Sequence, residues 1–436
     1  MIRMKIKTRE LSYEEVLCLP KYTPKPPRKP SFLLRTVVRL ASAPDLRDAS
    51  FSYTVEDGLK PGAQPSLILM NHSSFIDLEI VSKIFYPHPY GIVCTSDGFV
   101  GKAGLMRALG CVETAKFSSD VTLIRNMEAL LRKNSSVLMY PEASYTFDGC
   151  ATPLPRRMGL LLKKLSVPVI GIRTDGAFLR DPLYNELQKR KVKVSAHVSR
   201  LFTPEEIRDR SVEELDRKLD AFYTFDAFRD QAEKKIAVRE PFRADGLERI
   251  LYRCASCGRE GGMRGKGTRL SCSFCGKSYF MDEYGVLHAE EGETEYPHIP
   301  DWYRAEREEV REELLRGEYR METRVRIGMM VDRKAIYLVG NGVLTHDREG
   351  FRLTGCEGKL DYRQGPLFSY GLYADYYWYE IGDVIALGGR DCVYYCFPED
   401  PVSVAKTRLA AEELYKLRRS ERQDRRKKKP SDTPGE

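Results

Sequence analysis

Between residues 60 and 200, short β-branched runs alternate with segments of helical length, and that alternation leaves few folds open. PSLILM, YGIVC, SSVLMY, VPVIGI and KVKVSAHV are of strand length, while LEIVSKIF, VTLIRNMEALLRK and MGLLLKKL repeat their apolar residues at helical spacing. Strands that alternate with helices in this way imply an α/β domain with a largely parallel sheet, here bounded at 46–245. Residues 203–236 read as polar helices. They open at Thr203-Pro204-Glu205-Glu206, a capping residue followed by proline in the first turn.

The 436 residues suffice for two to three domains. Residues 1–45 form a basic segment in which the proline-rich stretch KYTPKPPRKP precedes SFLLRTVVRLASA. Leu33, Val37 and Leu40 fall on one helical face there, and Arg35 and Arg39 stand at i, i+4. Such a helix can lie in a membrane interface with its arginines reaching headgroups, or pack on its own domain. Residues 301–322 read as an exposed, charge-laced connecting helix. A β-rich domain at 323–418 follows, dense in tyrosine and valine and closed by the helix VSVAKTRLAAEELYKL. Its many strands and last helix resemble a pleckstrin-homology-like barrel. Within it Gly340-Asn341-Gly342 reads as a hairpin turn, and Tyr376-Tyr377-Trp378-Tyr379 as the alternating core and surface of a strand. Residues 419–436 read as a disordered basic tail.

The net charge of +8 is concentrated at the ends. Residues 1–40 hold ten Lys/Arg against three Glu, and residues 416–436 hold nine against four acids, which leaves the middle at −4. A basic excess of this kind favours an anionic partner, a lipid surface or nucleic acid. No stretch approaches the ~18 consecutive apolar residues of a membrane span, and no signal peptide is visible. The expected location is cytoplasmic, peripheral on the cytosolic face of a membrane.

Of eleven cysteines, four form two CxxCG pairs: Cys254-Ala-Ser-Cys257-Gly258 and Cys272-Ser-Phe-Cys275-Gly276, with fourteen residues between the inner pair. Each pair can bend around one ion, the glycine permitting the turn after the second thiolate. The segment 246–300 resembles a zinc ribbon, with Cys254, Cys257, Cys272 and Cys275 as ligands. Four thiolates leave no open coordination position, so the zinc is expected to be structural. The other seven cysteines follow no framework spacing, which favours a reducing compartment.

The segment that carries chemistry is Asn71-His72-Ser73-Ser74-Phe75-Ile76-Asp77, directly after PSLILM. A histidine five residues before an aspartate, across a strand-to-helix turn, can receive the carboxylate at Nδ1. That contact fixes the tautomer and supports the imidazolium formed when Nε2 takes a proton. Three further segments follow in order: Gly110-Cys111-Val112-Glu113-Thr114-Ala115-Lys116, Tyr140-Pro141-Glu142-Ala143-Ser144 and Val167-Pro168-Val169-Ile170. Together they resemble the lysophospholipid acyltransferase superfamily, of the 1-acylglycerol-3-phosphate acyltransferase type, whose blocks run NHxxxxD, GxxxxxR, FPEG and VPV.

The resemblance implies a fatty acyl transfer from an acyl thioester, on CoA or acyl carrier protein, to a hydroxyl of lysophosphatidic acid or a related glycerolipid. His72 is the implied general base and Asp77 its orienting partner, with no acyl-enzyme and no catalytic cofactor. Lys116, Glu142, Ser144, Arg157 and Pro168 are the implied substrate-binding residues. The sequence departs from the pattern at Lys116, where the family has arginine, at Ala143, where it has glycine, and at Tyr145, where arginine is common. Arg156 and Arg157 are candidates to compensate. A second interpretation of the same chain is a non-catalytic adaptor that binds nucleic acid or anionic lipid through the ribbon and the basic ends. Under the enzyme interpretation nucleic acid is not an expected partner.

Overall fold

The most apolar run of the first half, Leu67–Met70, is a strand with every residue fully buried. The computed structural model describes residues 5–117, 121–155, 157–400 and 402–428. Leu67–Met70 lies inside a seven-stranded sheet with the order Ser52–Val55, Ser195–Phe202, Val169–Asp175, Leu67–Met70, Ser136–Met139, Tyr90–Thr95, Cys111–Thr114. Ile68 and Met70 face one side, against Ile80, Val81 and Phe85 of the helix Asp77–Phe85. Leu67 and Leu69 face the other, against Met127, Leu130, Leu162 and Leu215. Helices on both faces explain why the strand carries no polar residue.

The sheet is mixed. Five of its pairings are parallel, and Val169–Asp175 runs antiparallel to Ser195–Phe202. The reason lies in the connection, which holds only the short helices Ala177–Arg180 and Leu183–Asn185 and brings the chain back alongside without a crossover. Ser52–Val55 and Cys111–Thr114 are strands that the apolar runs did not announce.

Downstream, a four-stranded antiparallel sheet carries the paired cysteines, in the order Leu287–Ala289, Ser278–Met281, Arg269–Cys272, Met263–Lys266. An antiparallel meander follows from Met321–Met330 to Val393–Pro398. Its edge strands, Leu360–Gln364 and Tyr373–Trp378, have no ladder between them among the described residues, so the sheet is open. The N-terminal strand Thr8–Glu10 joins it, parallel to Ile336–Leu338. Gly340-Asn341-Gly342 is not a hairpin turn. It sits inside the strand Ile336–Asp347 beside a register shift, where Gly340 takes φ 127°.

The helix Ile299–Arg316 is no exposed connector. Trp302, Tyr303, Glu306, Val310 and Leu314 are buried along one stripe, packed against the helix Val402–Lys428. That second helix runs straight through residues 419–428, where the sequence suggested disorder; its arginines and lysines are compatible with helix once the preceding turns are anchored. Residues 429–436 lie outside the described residues. Phe147, Phe178, Tyr252, Trp302, Tyr376 and Leu409 belong to one continuous core that joins the loops of the mixed sheet to both downstream sheets.

The helix Phe32–Asp48 presents Phe32, Leu33, Val37 and Leu40 outward, at 60%, 70%, 52% and 67% exposure. Arg35 does not reach out with them: its Nη1 donates to the carbonyl of Pro87. No helix among the described residues is long and apolar enough to cross a membrane.

Leu409, fully buried in the continuous core, tests how much the last helix contributes. Leu409→Ala should lower stability by about 2–5 kcal/mol in urea unfolding, whereas Arg422→Ala on its exposed part should change it by less than about 0.5 kcal/mol.

Candidate active site and four-cysteine centre

Where the strand Leu67–Met70 ends, Asn71–Ile76 turn the chain into the helix that begins at Asp77. The Asp77 carboxylate is fully buried, and its Oδ2 accepts from the backbone N–H groups of Ser73 at 2.8 Å and Ser74 at 3.2 Å. The same oxygen stands 3.1 Å from Nδ1 of His72. An acceptor at that position assigns the ring proton to Nδ1 and leaves a lone pair on Nε2. Burial governs both groups. It holds His72 down to about 3, helped by the Lys116 ammonium, and it pushes Asp77 up to about 8 against the two backbone donors. The ring itself is not sealed, with 18% of its side chain exposed.

Two tyrosines flank the imidazole, Tyr140 with centroids 4.0 Å apart and Tyr145 at 4.1 Å. Tyr145, where the motif comparison expected arginine, is thus an aromatic wall of the site. Glu142 is fully buried and spends both oxygens on the chain. Oε1 accepts from the backbone N–H of His72 at 2.9 Å; Oε2 accepts from the N–H and hydroxyl of Thr152 at 2.9 and 3.2 Å. Its pKa is raised to about 7 by burial, offset in part by those donors. This geometry makes Glu142 a tie between the His72 turn and the loop at Thr152. Asn71 makes a similar tie: its Oδ1 accepts from Thr174 N–H at 2.8 Å and its Nδ2 donates to Ser73 Oγ at 2.9 Å.

The remaining expected residues are dispersed. Lys116 lies with its ammonium 3.6 Å from the centroid of the Tyr373 ring, on the downstream sheet. Burial lowers its pKa, opposed by the carboxylates of Asp375 and Asp97. Ser144 is buried and accepts from Nη2 of Arg408 at 3.1 Å, a residue on the last helix. Arg157 is exposed at the start of the helix Met158–Leu165, and no contact among the described residues ties it to His72. Arg156 lies outside the described residues. Pro168 does not line the His72 end: its carbonyl accepts from Leu67 N–H at 2.9 Å, at the entry edge of the sheet. Since His72 lies beyond the exit end of that strand, roughly 15 Å of strand separates the two.

Thr152, Tyr145, Asp375 and Arg408 were not anticipated as site residues. Thr152 and Tyr145 sit close after a recognised motif and could have been suspected. Nothing local marks Asp375 or Arg408.

The four paired cysteines converge, with all Sγ atoms within 4.8 Å of one another. Cys254 and Cys275 stand 3.7 Å apart and Cys257 and Cys272 3.9 Å, matching the ~3.8 Å edge of a tetrahedron with ~2.3 Å metal–sulfur bonds. Gly258 and Gly276 take φ 72° and 78°, which lets their N–H groups bond back to Cys254 and Cys272. The donor set can therefore hold one metal ion. Glu260, close after Cys257, accepts from Lys406 of the last helix at 2.7 and 3.0 Å, and Lys406 also pairs with Glu313 at 2.9 Å.

Residues 52–174 match the family model described as Acyltransferase, and the stretch contains the His72–Asp77 pair and all four motif blocks whole. Those residues therefore carry an acyltransferase domain of the kind the four motifs resemble. A similar solved structure is the 1-acyl-sn-glycerophosphate (LPA) acyltransferase PlsC from Thermotoga maritima, at 14% identity and a TM-score of 0.35, covering 44% of this chain and 77% of that one. A likeness of that size decides nothing about the reaction. No curated protein matches the sequence.

The four-cysteine centre has a built-in reporter. Trp302, one of two tryptophans, donates through Nε1 to the carbonyl of Arg253, next to Cys254, at 3.0 Å. Elemental analysis should find about one ion per chain, and chelation should shift the emission of Trp302 in a Trp378→Phe background. An unchanged spectrum after complete chelation would remove the ion from this account.

Proposed function

We propose that this acyltransferase domain moves a fatty acyl group from a thioester carrier, CoA or acyl carrier protein, to a hydroxyl of a lysophospholipid such as lysophosphatidic acid, in phospholipid biosynthesis. The observation that carries the proposal is the 3.1 Å contact between His72 Nδ1 and Asp77, at the exit end of a buried strand within the matched residues. Nε2 of His72 takes the proton of the acceptor hydroxyl as its oxygen attacks the thioester carbonyl. The carrier thiolate leaves, and the acyl group is transferred without becoming attached to the protein. Asp77 acts through the ring: it holds the tautomer and stabilises the imidazolium as it forms. A histidine whose ground-state pKa is lowered by burial stays neutral and able to accept a proton throughout the working range.

Tyr140 and Tyr145 hold the ring plane, and Glu142 with Thr152 holds its backbone. The Lys116 ammonium helps lower His72, and we assign it to the acceptor's charged end. The four cysteines suit zinc, an ion that prefers tetrahedral thiolate sets and is closed to substrate in such a set. Its contribution is to brace Glu260 against Lys406, and so the last helix. The exposed apolar row Phe32, Leu33, Val37 and Leu40 supports a peripheral position on a membrane, where a lysophospholipid resides.

Two experiments test the proposal. In a thiol-release assay, His72→Ala should slow the chemical step by about two to four orders of magnitude. Asp77→Asn should cost less. Burial raises the pKa of Asp77, so its ionised fraction grows as pH rises, and the rate should climb toward alkaline pH. Asp77→Asn should flatten that climb. Full activity in His72→Ala would end the mechanism. Separately, the double substitution Leu33→Glu, Leu40→Glu should release the protein from anionic vesicles in a sedimentation assay. Unchanged binding would place the membrane contact elsewhere.

A further inference from the structure

The last helix places a guanidinium where no motif of the matched domain would look for one. Arg408 is 4% exposed, and it projects onto the loop that follows Glu142. Its Nε donates to Glu412 at 3.2 Å, its Nη2 donates to Ser144 Oγ at 3.1 Å, and its Cζ lies 3.9 Å from the centroid of the Phe147 ring. Its Nη1 is buried and has no hydrogen-bond partner among the described residues. A buried guanidinium with an unspent donor is unusual, because its charge is stable away from water only when its N–H groups are answered.

Arg408 borders a cavity of about 250 Å³ between that loop and the helices Ile299–Arg316 and Val402–Lys428. Arg304 and Arg307 line the same cavity, and Asp148 is the one carboxylate among its lining residues. Asp148 is shifted upward, chiefly by burial, which favours its neutral form and reduces its opposition to an entering anion. Arg307 is anchored through Nη1 to Glu412 at 2.7 Å and Glu413 at 3.0 Å, and Arg304 through Nη1 to Asp301 at 2.7 Å. These carboxylates stand outside the lining and orient the two forks. Thr152, which holds Glu142, forms part of the wall, so the cavity abuts the loop that supports His72.

We infer that this cavity is a phosphate-binding site in which Arg408 is the principal ligand and Arg304 and Arg307 complete the charge. Guanidinium forks match the paired oxygens of a phosphate, and three of them around one polar cavity favour a dianion over a carboxylate. The phosphate belongs either to the acceptor's headgroup or to a free phosphorylated ligand. In the first case the downstream half supplies in cis the arginine that the motifs lack at Lys116 and Tyr145. Because Arg408 reaches Ser144 across 264 residues, phosphate binding would also tighten the last helix onto the matched domain.

The test is calorimetric titration of the full-length zinc-loaded chain with inorganic phosphate, which needs no turnover and so stands apart from the acyltransferase proposal. Arg408→Gln should weaken binding roughly ten- to a hundredfold, as for the loss of a charged hydrogen-bond donor. Arg304→Gln, at a mostly exposed side chain that carries little folding risk, should weaken it about threefold. Arg408→Lys should recover only part of the affinity. Absence of phosphate binding by the unaltered chain, or equal affinity in both glutamine variants and the unaltered chain, would overturn the site. Acceptor kinetics then identify the source. A KM raised in Arg408→Gln for phosphorylated but not for neutral acceptors, with kcat little changed, assigns the phosphate to the acceptor. Lost phosphate affinity with both KM values unchanged assigns it to a free ligand.

Discussion

A single carboxylate oxygen organises the candidate active site. Asp77 Oδ2 collects the backbone donors of Ser73 and Ser74 and faces the ring of His72, all in a place fully removed from water. An isolated charge there would be prohibitively costly, so the turn is shaped to bring donors to it. That requirement explains the local sequence. Ser73 and Ser74 are small enough for a tight turn with both N–H groups pointing inward, and the aspartate stands at the first turn of a helix, where the dipole favours a negative group. The histidine inherits its orientation from this arrangement, and Glu142 and Thr152 extend it to the neighbouring loop.

The downstream half is bound to this arrangement by buried and half-buried ion pairs. Glu412 accepts from both Arg307 and Arg408, and Lys406 links Glu260 of the cysteine-bearing region to Glu313. Buried pairs of this kind add little net stability, since desolvation consumes most of their attraction. They do penalise every other register of the last helix, because a shifted helix would leave charges unanswered. The four-cysteine centre therefore stands one ion pair away from the helix that carries Arg408. Tyr373 works in the same direction from the sheet, covering Lys116 with its ring.

Much of the mixed sheet was legible because its strands are buried on both faces and therefore read as unbroken apolar runs. Four of the runs named from the sequence fall on Leu67–Met70, Tyr90–Thr95, Ser136–Met139 and Val169–Asp175, while KVKVSAHV overlaps Ser195–Phe202 only in its last four residues. Thr203 starts the helix Pro204–Asp209 with proline in its first turn, as the sequence suggested, and Glu206 completes a capping box with it. The direction of Ser195–Phe202 was not legible, since a strand's residue pattern does not record which way its neighbour runs. Ile299–Arg316 read as exposed because its surface is rich in charge; its buried stripe is sparse and includes Glu306, which accepts from Arg253 N–H at 2.8 Å. Pro168 was placed by motif order alone, and order along the chain does not say which end of a strand faces the chemistry. Arg35 had the spacing of an outward arginine, yet a nearby carbonyl claimed it.

What the sequence determined by itself were the features written in contiguous residues. These are the buried strands, the His72–Asp77 turn and the two cysteine pairs, each fixed by spacing along a chain whose local geometry is nearly invariant. What only the tertiary structure decided was which distant groups meet there: Tyr373 over Lys116, Lys406 on Glu260, and Arg408 on Ser144 beside an arginine-lined cavity. The physical reason is that such contacts depend on how the helix Val402–Lys428 docks. Docking is set by the summed packing of Leu409, Trp302, Tyr376 and Phe147 in a shared core, and no short stretch of sequence contains that sum.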